Sequence, residues 1–399
     1  MKQGGKNLEV IQAMNRTLLL RLLQQNHICS RANLSEQSGL KQATITNIIN
    51  DFISWELVEE TGLIEGCKGR RAIGIRLNTE VFYVIGVRLS RKYFEVGIFT
   101  LMGELVEEEY REYITDTKPS TVIPKIQESI RRLIARYAGK KVLAVGVAVP
   151  GPYYFEEGVI EAVFTDWEQV SIKSMLQEGM PLPVVIDHDA NAGVLAECSF
   201  GLDPNLYETV VYLAVGQGIG AGIYHEGKIF RGAAGIAGEI GHASINMDGP
   251  RCECGNRGCL TCYASTIAFM DRVNKRRKDL GFSPFLQFQD LIEPAQKKDE
   301  VVYSEFRTNM RYLSVGIINL IYSYNPDLII IGDEMSRIGE RVPEEIKYNI
   351  SQLMERKVLK QAEIRLAAFE KDSAFIGAAE LAIDYAFVHT ELFRGEKIF

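Results

Sequence analysis

The sequence predicts an α/β fold in two parts, a small N-terminal module over residues 1–80 and a larger body built from two lobes of like order. Three observations support this fold class. Apolar residues recur at helical spacing up to about residue 55 and then alternate as in strands up to residue 77. From residue 81 onward, one order of elements occurs twice: three strands, a helix and a buried strand. Four of the seven cysteines lie together within residues 252–262.

Charge is unevenly distributed along the 399 residues. The net charge is −7, yet residues 1–80 carry ten Lys and Arg against eight Asp and Glu, a net of +2 that leaves −9 for the rest. A polyanion should therefore meet the N-terminal module first. No stretch of about 18 apolar residues occurs, and the N-terminus lacks an apolar signal segment. We therefore expect a soluble, cytoplasmic protein with no membrane partner.

Three helices are predicted in the N-terminal module. Apolar residues at helical spacing indicate the first over residues 11–23. Ser30 is a suitable N-cap for a second helix that ends near Ser38, and Gly39 provides the turn. The third helix is predicted over residues 42–55. Its apolar, buried face carries Ile45, Ile48, Ile49, Phe52 and Ile53.

The exposed face of the third helix is polar and rich in amides. Gln42, Thr44 and Asn47 can read base edges, because Asn and Gln pair bidentately with adenine and Thr contacts the thymine methyl group. Lys41 precedes them and can contact a phosphate. The pattern indicates a helix-turn-helix whose second helix enters the major groove of double-stranded DNA. A small helical bundle with a solvated polar face is the alternative.

A basic loop after the third helix favours the DNA-binding interpretation. Residues 57–60 and 73–77 alternate like two strands, and residues 66–71 form the loop between them. The loop carries Lys68, Arg70 and Arg71, which can contact phosphates or the minor groove. The module is therefore predicted to be a winged helix-turn-helix.

Two copies of one order of elements make up the body. The first copy is predicted as strands over residues 83–89, 94–101 and 103–110, a helix over 121–138 and a buried strand over 142–149. The second is predicted as strands over residues 210–215, 220–224 and 228–230, a helix over 305–324 and a buried strand over 328–332. This repetition predicts a duplicated fold with a cleft between two lobes. A small-residue helix over residues 372–387 should pack under the lobes, and residues 271–300 resemble a solvated helix-loop insertion.

Between the two copies, an apolar strand over residues 184–187 runs directly into His188 and Asp189. A carboxylate at the C-terminal end of such a strand is well placed at a crevice. It can hold a ligand hydroxyl through a charge-assisted hydrogen bond. The alternative is an N-cap role for the aspartate, which does not exclude the first.

The cysteine cluster has the density of a metal site. Cys252, Cys254 and Cys259 have His242 a short loop upstream, and three cysteines with one histidine are a standard ligand set for structural zinc. Cys262 could replace His242 or simply pack. A group of free buried cysteines is the alternative to a metal site. An intracellular setting keeps thiols reduced and so favours a metal over disulfides.

The motif Gly238-Glu239-Ile240-Gly241-His242, followed by Cys252-x-Cys254-Gly255-x-x-Gly258-Cys259, resembles the signature of the ROK family of sugar kinases and sugar-responsive repressors. The resemblance extends over nearly the whole chain. It implies an actin-like, ribonuclease-H-like body. The first lobe would cover residues 81–200, completed by residues 372–399, and the second lobe would cover residues 201–371.

The resemblance also implies site residues. In the family the histidine and the first three cysteines bind Zn²⁺, which corresponds to His242, Cys252, Cys254 and Cys259 here. The family's glutamate and histidine face the sugar hydroxyls, and the catalytic base of the kinases corresponds to Asp189. The predicted sugar pocket thus contains Asp189, Glu239, His242 and His188. Thr261 stands where the family has a glutamate, so the sugar should be held differently from the hexose of the kinases.

Three loops that hold ATP phosphates in ROK kinases are changed in this chain. Their positions read Val87-Arg88-Leu89-Ser90-Arg91 for Asp-x-Gly-Gly-Thr, Gly216-Gln217-Gly218 for Gly-Thr-Gly, and Gly332-Asp333-Glu334 for Gly-Gly-Gly. Lost glycines close the space that phosphates need, and added carboxylates repel a polyphosphate. The chain is therefore predicted not to be an enzyme.

The resulting prediction is a sugar-responsive transcriptional repressor of carbohydrate-utilisation genes. We expect operator DNA as one partner, a small-molecule sugar as effector, Zn²⁺ as the metal and a homodimer or dimer of dimers as the assembly. Two alternatives remain open. One is a ROK sugar kinase with an appended DNA-binding domain, and the other is a repressor controlled by a protein partner of the sugar-uptake system.

Overall fold

The computed structural model of the chain describes residues 8–65, 71–91, 93–113, 116–162, 167–203, 206–353 and 362–395. Two residues of the predicted basic loop, Lys68 and Arg70, lie outside these ranges. Within the described ranges, no helix combines the length and the apolar character that a membrane crossing requires.

Helices and strands alternate along these ranges. The helices are α1 (Leu8–Asn26), α2 (Arg31–Ser38), α3 (Gln42–Ser54), α4 (Pro119–Arg136), α5 (Ile172–Gln177), α6 (Asp189–Ala196), α7 (Thr261–Ala264), α8 (Thr266–Asp279), α9 (Phe288–Gln296), α10 (Glu300–Tyr324), α11 (Arg341–Leu353) and α12 (Ser373–Val388). The strands are β1 (Cys29–Ser30), β2 (Val58–Glu65), β3 (Arg71–Leu77), β4 (Phe82–Leu89), β5 (Tyr93–Thr100), β6 (Leu105–Tyr113), β7 (Lys141–Val149), β8 (Tyr153–Tyr154), β9 (Val159–Ala162), β10 (Trp167–Val170), β11 (Val184–His188), β12 (Thr209–Val215), β13 (Ile219–His225), β14 (Lys228–Ile229), β15 (Leu328–Gly332) and β16 (Glu363–Leu366).

The N-terminal module contains the three predicted helices and a small antiparallel sheet in the order β1-β3-β2. Ser30 caps α2 as predicted, because its hydroxyl oxygen accepts a hydrogen bond from the Asn33 amide at 3.1 Å. Gly39 ends α2 with a φ of 69°, a left-handed conformation that glycine adopts without strain. Lys41 precedes α3 and makes no side-chain cap bond to it. Arg71 is the first residue of β3, so it belongs to the strand and not to the loop.

The third helix buries the apolar face that the sequence predicts, with one exception. Ile45, Ile48, Ile49 and Phe52 are buried, but Ile53 is 37% exposed. The prediction for Ile53 is wrong because each residue of an α-helix is rotated by about 100° from the one before, which carries Ile53 past the edge of the buried face.

The core of the N-terminal module continues into the body. Leu19 and Leu23 of α1 belong to the same buried cluster as Phe375 and Phe387 of α12. Thr17 also donates a hydrogen bond from its hydroxyl to the carbonyl of Phe387 at 2.8 Å. Because packed cores transmit displacements, a movement of α12 must be accommodated by α1.

Two sheets of the same topology form the body. Within the described residues, one has the order β11-β7-β4-β5-β6 and the other the order β16-β15-β12-β13-β14. In each sheet the first three strands are parallel, the fourth is antiparallel to its neighbours, and the fifth therefore runs in the direction of the first three. The central strands β4, β12 and β15 are buried along their whole length, as expected for continuous runs of Val, Ile and Leu. The predicted duplication of one α/β order is confirmed.

Two helices between the sheets position the site. α6 packs on β12 and β13 of the second sheet, α12 packs on β4 and β7 of the first, and the two helices pack on each other. Gly377 permits this close approach, since a Cβ there would collide with the carbonyl oxygen of Ala192. α6 begins at Asp189, and α12 is capped by Asp372.

The segment of residues 271–300 packs more closely than the sequence predicts. Val273 of α8 and both Phe288 and Leu291 of α9 belong to the buried cluster that underlies the second sheet. The prediction of a solvated insertion is wrong for these helices, because each turns one apolar side toward the rest of the lobe.

Candidate functional site

A cavity of about 110 Å³ lies at the carboxyl ends of the parallel strands of both sheets. Residues that follow parallel strands gather at one edge of a sheet, where the chain leaves it. β4, β7 and β11 contribute from one sheet, and β12 and β15 contribute from the other. The residues around the cavity include Arg88, Gly151, His188, Asp189, Gln217, Glu239, His242, Thr261, Asp333 and Glu334.

All four residues predicted to contact a sugar line this cavity. Nε2 of His188 is 3.2 Å from Oδ1 of Asp189 and 3.7 Å from Oε1 of Glu239. Gly151 lies against them, and a Cβ there would be 2.5 Å from both Glu239 Oε1 and His188 Nε2. Glycine is therefore required at position 151 if the three polar groups are to converge. Carboxylates and imidazoles grouped in this way can accept and donate hydrogen bonds to several hydroxyls.

Asp189 is the first residue of α6, while His188 occupies the N-cap position without a side-chain cap bond. The alternative interpretation of Asp189 as an N-cap is therefore wrong. The carboxylate is nevertheless close to the amino-terminal end of a helix, where the helix dipole favours negative charge.

Arg88 fills the part of the cavity beside Asp189. The residue is 4% exposed, and its guanidinium bridges two carboxylates, with Nη2 2.9 Å from Asp189 Oδ2 and Nε 3.0 Å from Asp372 Oδ2. Nη1 donates to the carbonyl of Leu89 at 2.6 Å. Burial alone would lower the pKa of Arg88, but the two carboxylates outweigh burial and raise the pKa above its usual value. The site thus holds a permanent internal cation.

Asp333, in the third changed loop, has an unusual backbone. Its φ of 63° and ψ of −160° lie in a region that is essentially restricted to glycine. Oδ1 accepts a hydrogen bond from the Glu334 amide at 2.7 Å, and a Cβ on Gly216 would meet Oδ2 at 2.4 Å. Burial, followed by the charge of Asp372, raises the pKa of Asp333 to about 8. A side chain therefore occupies space that a glycine would leave open.

The three loops that differ from those of ROK kinases meet at one place, as the sequence predicts. Arg88, Gln217 and Asp333 all border the same cavity. Arg88 and Asp333 bring charged side chains to this part of the cavity. Glu334 adds a carboxylate, which accepts a hydrogen bond from the Thr266 hydroxyl at 2.5 Å.

The predicted metal ligands form a compact cluster next to the cavity. The ligand atoms of His242, Cys252, Cys254 and Cys259 all lie within 4.8 Å of one another. Cys254 Sγ is 3.7 Å from Cys259 Sγ, and Cys252 Sγ is 3.6 Å from His242 Nδ1. A tetrahedral Zn²⁺ with its usual bond lengths would require separations of about 3.8 Å for two sulfurs and about 3.6 Å for sulfur and nitrogen. Donor set and spacing therefore fit Zn²⁺.

One histidine connects the metal cluster to the cavity. His242 presents Nδ1 to the cysteines and also lines the cavity. Cys262 lies in α7, close to the thiol of Cys252, but it does not belong to the four-residue group. The six cysteines of the described residues are all free, as a reduced setting would leave them.

Residues predicted to contact DNA lie at the start of α3 and of β3. Lys41, Gln42 and Asn47 are exposed, and Thr44 is half-buried. They are separate from the buried face that carries Ile45 and Ile48. Arg71 is exposed at the first position of β3.

Two charged contacts near the site had no sequence prediction. Asp372 caps α12 by accepting a hydrogen bond from the Ala374 amide at 2.9 Å, and it is the second partner of Arg88. Glu380 of α12 is 0% exposed and accepts hydrogen bonds from Arg21 Nη1 at 2.5 Å and from Gln24 Nε2 at 3.1 Å, both of α1. In the sequence, the one signal for the second contact is a single glutamate within an otherwise apolar helix.

Comparison with known proteins gives the family. The ROK family model matches residues 84–385. The xylose repressor of Caldicellulosiruptor bescii is 32% identical over 359 residues, which cover 87% of this chain and 89% of that protein.

Two solved structures share the architecture. A ROK family transcriptional regulator, a homologue of the E. coli Mlc protein, superimposes with a TM-score of 0.81 at 25% identity and covers 97% of this chain and 100% of that chain. A ROK glucokinase from Streptomyces griseus, solved with glucose and AMPPNP, has a TM-score of 0.67 at 26% identity and covers 75% of this chain and 98% of that chain. The chain has an α/β body with the actin-like fold of sugar kinases, and it belongs to the ROK family.

Proposed function

We propose that this chain is a sugar-responsive, DNA-binding transcriptional repressor of carbohydrate-utilisation genes. The observation that carries the proposal is the cavity itself, which is lined by Asp189, Glu239 and His242 and also by Arg88 and Asp333 from two of the changed loops. Full-length similarity to a regulator, against similarity to a glucokinase over 75% of the chain, supports the same conclusion. Release of operator DNA by a sugar in the absence of ATP tests it.

Residues 1–80 act as a winged helix-turn-helix in this proposal. α3 enters the major groove, where Gln42, Thr44 and Asn47 read base edges and Lys41 contacts a phosphate. The wing supplies Lys68, Arg70 and Arg71 to the backbone or the minor groove. The exposure of Lys41, Gln42 and Asn47 supports this assignment. A homodimer or a dimer of dimers would place two such modules on a pseudo-palindromic operator.

The effector is a sugar held by Asp189, Glu239, His242 and His188. Each carboxylate accepts hydrogen bonds from hydroxyls, and the histidines complete the set. The name of the Caldicellulosiruptor relative makes D-xylose the first candidate.

The sugar signal reaches the DNA module through two helices. Asp189 begins α6, α6 packs on α12, and Glu380 of α12 binds Arg21 and Gln24 of α1. We assign the first lobe to residues 81–200 with residues 372–399 and the second lobe to residues 201–371, so that α6 and α12 lie where the lobes move. A sugar that prefers one lobe arrangement by a few kcal/mol then shifts the spacing of the modules.

Zn²⁺ acts as a structural cofactor in this account. His242, Cys252, Cys254 and Cys259 would hold it, and the ion would fix the orientation of His242 and of the loop that carries Glu239. It supplies no chemistry to the sugar.

Replacing Cys254 with serine should remove the metal and sugar response together. Serine is a poor zinc ligand, and three remaining ligands bind much more weakly than four. The zinc content, measured by mass spectrometry, should fall from about one zinc per chain to near zero. Cys262→Ser is the matched control and should keep its zinc; full zinc in Cys254→Ser would remove Cys254 from the site.

The kinase alternative is disfavoured because Asp189, which would be its catalytic base, is paired with an arginine. Asp189 is bound to Arg88, with Nη2 2.9 Å from Oδ2. A general base must instead be free to take the proton of the attacking hydroxyl. A coupled assay for ADP release with D-xylose or D-glucose should therefore give no signal, and sugar-dependent ADP release would revive the alternative.

A further inference from the structure

We infer that Arg88 is a specificity-determining residue of the sugar pocket, an internal cation that competes with a ligand hydroxyl for Asp189. The inference rests on the proposed function and concerns the regulation of that same pocket. It follows from the contacts of three residues, Arg88, Asp189 and Asp372.

Both oxygens of the Asp189 carboxylate are already engaged. Oδ2 is 2.9 Å from Arg88 Nη2, and Oδ1 is 3.2 Å from His188 Nε2. A sugar hydroxyl that donates to Asp189 must therefore replace one of these partners or share an oxygen with it. Because a guanidinium bond to a carboxylate is charge-assisted, Arg88 is the stronger competitor.

Arg88 keeps other partners for its charge when its contact with Asp189 is broken. Nε remains 3.0 Å from Asp372 Oδ2, and Nη1 donates to the carbonyl of Leu89. A buried arginine that lost every partner would cost several kcal/mol, whereas one that keeps a carboxylate costs far less. Arg88 is therefore placed as a reversible competitor for Asp189 and not as a permanent block.

This arrangement selects ligands by their hydrogen-bond donors. A neutral polyol brings hydroxyl donors that can take over the bond that Arg88 gives up. A purely anionic ligand brings acceptors only, and it would meet Asp189, Glu239 and Glu334 around the cavity. The pocket should thus accept a neutral sugar with a free hydroxyl directed at Asp189.

Two variants that differ only at position 88 test the inference. In Asp372→Asn the helix cap is kept, because asparagine caps helices as well as aspartate, but Arg88 is left with Asp189 as its single carboxylate. In the double variant R88M/D372N one positive and one negative charge are removed together, and Asp189 keeps His188 as its remaining partner.

Isothermal titration of the full-length protein with D-xylose, and with D-glucose as second probe, measures the sugar Kd directly. We expect Asp372→Asn to bind more weakly than wild type, because the whole guanidinium charge then competes for Asp189. R88M/D372N should bind about tenfold more tightly than Asp372→Asn, which corresponds to about 1.4 kcal/mol. General damage to the pocket would leave R88M/D372N no tighter than Asp372→Asn, whereas the inference requires the double variant to recover affinity.

An equal or weaker affinity of R88M/D372N relative to Asp372→Asn would overturn the inference and make Arg88 a structural residue. If that variant fails to fold, as judged by near-ultraviolet circular dichroism, R88Q/D372N replaces it, and its neutral amide should also give a lower Kd than Asp372→Asn. If the wild-type protein gives no heat with either sugar, the proposed effector fails and the inference falls with it. If the wild-type protein binds sugar but the two variants do not differ in Kd as predicted, the inference is contradicted and the proposed function is not.

Discussion

Replacing Asp189 with alanine should leave operator affinity within about twofold of wild type and abolish release of the operator by sugar. The carboxylate lines the cavity, and its contacts are with Arg88 and His188 rather than with the N-terminal module. Hydrogen bonds to a charged group contribute about 1.5–3 kcal/mol each, so loss of one or two should weaken sugar binding by at least about tenfold and by more than 100-fold at the upper end. Fluorescence anisotropy of labelled operator, titrated with sugar, measures both properties.

Asp189→Asn is the matched control for this variant. Asparagine keeps the size and one acceptor oxygen but loses the charge, so it should retain weak sugar response at high concentration. Both substitutions also remove a charge partner of Arg88, which keeps Asp372. Normal release by sugar in Asp189→Ala would remove this residue from the pocket.

Replacing Arg21 with methionine should lower the free energy of unfolding by about 3 kcal/mol at pH 7. Glu380 is 0% exposed, and Arg21 is its charge partner across the contact between α1 and α12. Without the guanidinium, a buried carboxylate is left with only neutral partners, the amide of Gln24 and the hydroxyl of Ser199. Urea unfolding followed by circular dichroism measures the loss.

The loss should depend on pH in a defined direction. Burial raises the pKa of Glu380 above its usual 4.5, while Arg21 opposes that rise. Removing Arg21 lets the folded-state pKa rise further, so the folded state of the variant binds more protons than the unfolded state above pH 4.5. The destabilisation should therefore be small near pH 5 and grow toward pH 8. A loss that is constant over this range would show that the charge of Glu380 is not its cause.

The double variant R21M/E380Q separates stability from signalling. It removes the charges of Arg21 and Glu380 together and leaves only the partly exposed Asp384 without Arg21. Most of the lost stability should therefore return, since replacing a buried ion pair as a unit costs little. Sugar binding should remain, because the pocket residues are unchanged, but the concentration of sugar that releases the operator should increase. Full stability together with unchanged release would mean that the contact between α1 and α12 does not carry the signal.

Much of the fold could be predicted because its signals are local. The buried strands β4, β7, β12 and β15 are continuous apolar runs, and Ser30 and Gly39 mark the ends of helices by their own chemistry. The cysteine spacing and the loop with Glu239 and His242 predicted the metal cluster for the same reason.

Contacts between distant parts of the chain could not be predicted in this way. Arg88 and Asp372 are 284 positions apart, and Arg21 and Glu380 are 359 apart. No periodicity connects such residues, so their pairing depends on the packing of whole elements. The burial of Phe288 and Leu291 in a segment rich in charge has the same origin, since only the assembled lobe decides which side of α9 faces the core.

The central claim is tested most directly by operator release. Labelled DNA from upstream of this protein's own gene is titrated with the protein, and then with D-xylose, other pentoses, hexoses and amino sugars, with no ATP present. The account predicts tight binding, weakened about tenfold or more by Asn47→Ala, and release by one sugar. Tight binding that no sugar reverses would contradict sugar control and favour control by a protein partner; a failure to bind DNA would contradict the repressor function itself.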